Sequence, residues 1–132
     1  MEAVLAAPSV AAGDLAVLLP TNRLAEEYRR RLTALEVPCL DLAKYDGNPV
    51  DAVKVGTYQR AKGLEFKHVF LPRLEARTLG DQPRTDEDAE SHRERLALLR
   101  RRLFVAATRA RDTLWLGAAD DPSTVLDGLV RP

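Results

Sequence analysis

Leu15–Pro20 reads LAVLLP, an apolar run of six residues that follows a Gly-Asp pair. The run is too short for a buried helix and fits a buried strand. Thr21-Asn22 directly behind it suits a helix N-cap. Leu24, Tyr28, Leu32 and Leu35 then recur at helical spacing, with Glu26, Glu27, Arg30 and Arg31 on the other face. This switch from a continuous apolar run to a 3.6-residue period constrains the fold more than any other feature. A strand apolar on both faces has to be covered on both faces, which is the condition of a central strand in a parallel sheet.

The same switch continues along the chain. Pro38 ends the first helix, and Cys39–Ala43 reads as a second strand. Tyr45–Pro49 is a loop by its Asp-Gly and Asn-Pro pairs. Ala52–Tyr58 alternates as a strand, Ala61–Phe66 reads as a short helix or turn, and His68–Leu74 as another strand. Ser91 and Glu94 have capping-box spacing, ahead of a helical stripe at Leu96, Leu99, Leu103, Ala106 and Ala110. Thr113–Ala118 reads as a strand and Ser123–Leu129 as a closing helical turn. The order predicts an α/β fold, a mostly parallel sheet with helices on both faces. Chemistry is then expected at the carboxyl ends of the strands.

At 132 residues the chain is expected to form one domain. Its boundaries read as a flexible N-terminal segment over residues 1–13 and a folded domain over 14–132. Residues 75–90 lack an apolar period and carry Asp81, Asp86, Glu87, Asp88 and Glu90, so they read as an exposed, mobile acidic loop. Twenty basic residues balance twenty acidic ones, so net charge argues for neither nucleic acid nor membrane. A single cysteine, Cys39, excludes a disulfide framework and a cysteine metal site, and two histidines are too few for a histidine-rich one. No run approaches a membrane span, and the apolar start lacks the basic region of a signal peptide. A cytoplasmic monomer is the expectation.

Two segments carry polar groups in chemically suggestive order. Val55–Phe66 (VGTYQRAKGLEF) sets two glycines, Thr57, Gln59, two cations and Glu65 beyond a strand end. Such groups suit phosphate or sugar contacts; equally, a solvated turn needs glycines for backbone geometry alone. Arg93 to Arg111 holds seven arginines and one acid, Glu94. By charge alone this is either a basic, solvated helix face or a set of phosphate ligands. His68 reads as a satisfied core or edge histidine, Trp115 as packing, and Cys39 as a small hydrophobe.

GTYQRAKGLEF followed by KHVFLP resembles motif V of UvrD-like superfamily one DNA helicases. RRRLFVAATRARDTLWL resembles motif VI, and LAVLLPTNRLAEEYRRRLTALEVPCL the strand and helix that precede them. The likeness covers about Leu15 to Leu116 in the family's order. It implies the C-terminal RecA-like motor domain of an ATP-dependent DNA helicase or translocase, a P-loop NTPase-type fold without its own Walker A loop. The resemblance assigns Glu65 to the ribose of ATP, Arg109 to the γ-phosphate as an arginine finger, and Gly63 to the turn that shapes the nucleotide site. Thr57, Gln59 and Lys62 fall where the family contacts single-stranded DNA, and Arg101 in a motif VI Arg pair that links nucleotide to DNA. ATP with Mg²⁺ would be held mainly by a missing N-terminal RecA-like domain, the expected partner beside single-stranded DNA. Hydrolysis by this chain alone is not expected.

The chain departs from the pattern in four ways. Gln59 stands where the family usually has His. Leu98 and Leu99 replace two Glu that lead motif VI. The motif IV that normally opens this half is absent, as is the large insertion before motif V. Gln59, Leu98 and Leu99 point toward an alternative, a non-catalytic helicase-derived module that binds nucleic acid or a polymerase, whereas intact Glu65 and Arg109 favour the motor.

Overall fold

The computed structural model describes residues 11–127. Five strands, β1 (Leu15–Leu19), β2 (Cys39–Asp41), β3 (Val53–Thr57), β4 (Phe66–Leu71) and β5 (Ala110–Leu116), form one sheet in the order β2-β3-β1-β4-β5, with every pairing parallel. The predicted α/β, RecA-like class is the one observed. β1 lies at the centre, between Lys54 of β3 and Val69 of β4 at the level of Ala16. All five of its residues are buried, which explains its unbroken apolar sequence.

Pleating sorts the core into two layers. Leu15, Val17 and Leu19, with Val53 and Val55, pack beneath Leu24, Ala25 and Leu32 of α1 (Asn22–Ala34). Ala16, Leu18, Val69 and Leu71 face the opposite way. They pack with Tyr58, Ala61, Leu74 and Leu79, and with Leu103 and Ala106 of the long helix near the C-terminus. Thr21 caps α1, its Oγ1 accepting from the Leu24 amide at 3.2 Å. Gly56 is small for a packing reason: a Cβ there would run into the side chain of Leu42. Lys54 is buried on the same side of β3, and its Nζ donates to the carbonyls of Gly13 (2.7 Å) and Val50 (2.9 Å). Burial lowers its pKa, opposed by the carboxylates of Asp14 and Asp51.

Several boundaries move. β2 stops at Asp41, and Leu42–Lys44 form a 3-10 turn. β5 begins at Ala110, where it pairs with Phe66. Residues 1–10 of the expected flexible segment lie outside the described residues, and Ala12–Asp14 form a 3-10 turn. Of the expected closing turn, Thr124–Leu126 is a 3-10 helix, while residues 128 and 129 lie outside the described residues.

The acidic segment 75–90 is not simply an exposed loop. It holds α2 (Ala76–Leu79), and Glu75, Leu79 and Asp81 are buried. Glu75 accepts from Arg73 Nε (2.8 Å), from Thr78 Oγ1 and from the Ala119 amide (3.0 Å). Asp81 accepts from Ser123 Oγ (2.9 Å) and the Thr124 amide (3.1 Å). These acids tie the end of β4 to the chain beyond β5; residues 82–86 are exposed as expected. The following helix, α3 (Ala89–Ala107), is capped by Asp88, whose Oδ1 accepts from the Ser91 amide at 2.7 Å, so the expected Ser91 cap is displaced by three residues.

Candidate functional site: a basic groove and a polar rim

Thr57 ends β3 at the level of Leu19, so the turn beyond it opens at the carboxyl edge of the sheet. The Tyr58 amide donates to the Leu19 carbonyl at 3.1 Å, tying this turn to β1. Thr57 Oγ1 accepts from the Arg60 amide at 3.3 Å. A cleft of about 570 Å³ results, lined by Pro20, Thr21, Asn22, Thr57, Gln59 and Arg60, with Arg102 reaching in from α3. A second hollow of about 200 Å³ shares Tyr58, Gln59 and Arg102 and adds Lys62, Arg101 and Val105. The two form one groove. Thr57, Gln59, Lys62 and Arg101 therefore line adjoining hollows.

Arg60, Lys62, Arg101 and Arg102 make no ion pair among the described residues. These cations give the groove a positive potential, with Arg60 and Arg102 lining it beside the N-terminus of α1. Asn22, Arg60 and Arg102 were not singled out from the sequence. Thr21 and Asn22 read there only as a helix start, and nothing in one dimension brings them against Arg102, eighty residues on.

Glu65 and Arg109 lie elsewhere. Between β3 and β4 the chain descends across the sheet as turns, with Tyr58 and Ala61 buried, before β4 starts at Phe66. Gly63 in this descent has φ +82° with open space around it, so its backbone conformation, not crowding, calls for glycine. The Phe66 amide donates to the Arg109 carbonyl at 2.9 Å. Arg109 Nη1 donates to the Leu64 carbonyl (3.5 Å), Nε to the Val105 carbonyl (3.0 Å) and Nη2 to Thr108 Oγ1 (3.2 Å). Glu65 and Arg109 thus share one rim at the amino ends of β4 and β5. This corrects the expectation that both segments sit at carboxyl ends. A parallel strand must restart at the far edge of the sheet, and the chain between β3 and β4 makes that return. The first hollow opens at the level of Leu19 and Thr57, while the second reaches toward the rim through Lys62 and Val105, whose carbonyl accepts from Arg109 Nε.

Glu65 is exposed and forms no ion pair among the described residues. Arg109 is partly buried and engages only neutral acceptors, which orient its guanidinium without neutralising it. The remaining histidine and tryptophan are packing residues. His68 is buried with its ring 5.7 Å from Trp115, but both ring nitrogens lack a partner among the described residues, so it is not the satisfied histidine expected. Cys39 packs beside the α1 layer, and its thiol donates to the Arg29 carbonyl at 3.6 Å. No helix among the described residues is long and apolar enough to cross a membrane.

A five-stranded parallel sheet with a basic groove at one edge and a carboxylate–guanidinium rim at the other defines a RecA-like helicase-type α/β domain. The UvrD-like helicase C-terminal domain model matches residues 40–121, and the chain belongs to that family. No curated protein matches the sequence. Among solved structures, the C-terminal domain of a possible DNA helicase from Lactobacillus plantarum WCFS1 has the same fold, with a TM-score of 0.63 and 22% identity. The likeness covers 86% of this chain and 61% of that one, so the chain spans under two thirds of that structure's length.

Proposed function

We propose that the chain is the C-terminal motor half of an ATP-dependent DNA helicase or translocase. Membership of the family and the meeting of Glu65 and Arg109 at one open rim support this reading together. In this role Glu65 accepts hydrogen bonds from the ribose hydroxyls, and Arg109 donates to phosphate oxygens as charge builds on them. ATP supplies a phosphoanhydride bond, and a companion N-terminal RecA-like domain holds its phosphates and Mg²⁺. Gly63 gives the turn before Glu65 the left-handed backbone that presents the carboxylate at the rim. Across the sheet, Thr57, Gln59 and Lys62, joined by Asn22, Arg60 and Arg102, grip successive phosphates of single-stranded DNA. Arg101 lines the hollow beside them, where it links the groove to the nucleotide side.

The arrangement explains how one site reports to the other. The descent from Tyr58 to Glu65 is a single short segment with a DNA-facing start and a nucleotide-facing end. A shift of the rim as the two halves close moves the groove with it, and differential contact with open and closed states is what converts binding into movement.

An arginine finger contributes roughly 10³–10⁵-fold to phosphoryl-transfer rates. Arg109→Ala is expected to lower DNA-stimulated ATP turnover on that scale in the assembly with the first motor domain, while nucleotide binding persists. Undiminished turnover would remove the finger assignment. DNA binding without any turnover in the unmutated assembly would favour the non-catalytic module, which the Gln59 and Leu98-Leu99 departures point toward.

A further inference from the structure

Tyr45, at the start of the loop before β3, is partly buried against the core layer beneath α3. Its ring lies 6.2 Å from the ring of Phe66, tilted by 37°. The ammonium of Lys54 stands 5.2 Å from the centroid of the same tyrosine ring. Lys54 in turn donates to the carbonyls of Gly13, just before β1, and of Val50, just before β3. One aromatic ring thus links the amino ends of β1, β3 and β4, and no step of the proposed reaction uses it. Phe66 is buried at the first position of β4, directly after Glu65. Its amide donates to the Arg109 carbonyl, and on the other side of Glu65 the Leu64 carbonyl accepts from Arg109 Nη1. The Glu65 side chain is exposed, so the backbone on either side of it sets its place.

We propose that Tyr45 is a positioning residue of the rim, its ring clamping Phe66 and so fixing where the Glu65 carboxylate stands relative to Arg109. The inference rests on the reading of Glu65 as the ribose contact. A buried ring keeps its place by close packing, and a neighbour removed leaves space into which it turns. Without the Tyr45 ring, Phe66 loses that support, and the residue before it shifts with the backbone. Arg109 is anchored separately, by the Val105 carbonyl and Thr108 Oγ1. The carboxylate therefore moves while the guanidinium stays. A displacement of about 1 Å is enough to forfeit a well-aligned hydrogen bond. Both contacts of Tyr45 are made by its ring, so phenylalanine can replace it and alanine cannot. Lys54, bonded to two carbonyls, holds the far side of the clamp in place.

In the 132-residue chain, amide hydrogen exchange reads the clamp directly. Tyr45→Ala is expected to speed exchange at the Phe66 amide about tenfold relative to the Val17 amide in β1, while Tyr45→Phe changes neither. Because Tyr45 is only partly buried, the circular dichroism spectrum of Tyr45→Ala should match that of the unmutated chain. In the assembly with the first motor domain, DNA-stimulated turnover is measured with ATP and with 2′,3′-dideoxy-ATP, which lacks the ribose hydroxyls. Tyr45→Ala is expected to raise KM for ATP about threefold or more, and to leave kcat, DNA affinity and KM for the dideoxy nucleotide unchanged. Tyr45→Phe should keep the ATP value of the unmutated assembly. A purely structural role would raise both KM values together and overturns the proposal, as does unchanged Phe66 exchange in Tyr45→Ala. Glu65→Ala keeps the two readings apart. If it abolishes the preference for ATP over the dideoxy nucleotide and Tyr45→Ala does not, the ribose contact stands and the positioning role falls. If the unmutated assembly shows no such preference, the ribose reading falls, and the role of Tyr45 with it.

Discussion

Glu75 and Asp81 illustrate how much a single buried acid decides. Burial alone would raise the Glu75 pKa, but hydrogen bonds from Thr78, the Ala119 amide and Arg73 outweigh it and hold the carboxyl at about 2. A carboxyl depressed in the folded state stabilises the fold above its unfolded pKa, near 4.5, and this contribution is lost as pH falls toward 2. The thermal midpoint is therefore expected to fall steeply between pH 4.5 and 2.5, and Glu75→Gln should flatten that slope. A slope unchanged by Glu75→Gln would mean that other carboxylates carry the acid sensitivity. At neutral pH, Glu75→Ala strands Arg73 and the Ala119 amide and is expected to cost about 3–5 kcal/mol, readable by urea unfolding. By comparison Gln59, where the family usually carries histidine, leaves the groove lining without a histidine. DNA affinity at fixed ionic strength should accordingly be flat between pH 6 and 8, measured by fluorescence anisotropy.

Among the elements, α3 shows where local pattern and tertiary context part. Ser91-x-x-Glu94 has capping-box spacing, yet the helix begins two residues before Ser91, capped by Asp88. The start is fixed from outside. Arg95 donates to Glu87 at 2.7 Å, to the Gln82 carbonyl at 2.8 Å and to the Gly80 carbonyl, which holds residues 80–87 against the first turns. Asp88→Ala is expected to lower the thermal midpoint, whereas Ser91→Ala, whose side chain caps nothing, should be near neutral. Equal losses in the two variants would return the cap to Ser91. The end of α3 was easier to anticipate: the helix gives way at Thr108 to Arg109 and β5, where the basic segment meets the TLWL run. The segment between β3 and β4, which reads as a short helix or a turn, is a series of turns. The local pattern does not give its direction across the sheet, and that direction is what carries Glu65 to the rim.

At the scale of the whole molecule, the charge balance hides the groove. A net charge of zero gives no argument for a nucleic-acid partner, but the surface places Arg60, Lys62, Arg101 and Arg102 together and pairs none of them with an acid among the described residues. Single-stranded DNA binding that uses all four should weaken with salt at a slope of about −0.7 per phosphate contacted. Arg60→Ala and Arg102→Ala should each reduce the slope by about that amount. A slope insensitive to both variants would place the DNA elsewhere. The alternation of strands and helices and the burial of LAVLL were legible in the sequence, because hydrophobic period is a local signal. Which edge of the sheet each site occupies, and that Asn22 meets Arg102, depend on strand order and on the direction of the return between parallel strands. Both are set by how two apolar layers close over one sheet, a condition on the packed molecule that no segment carries alone.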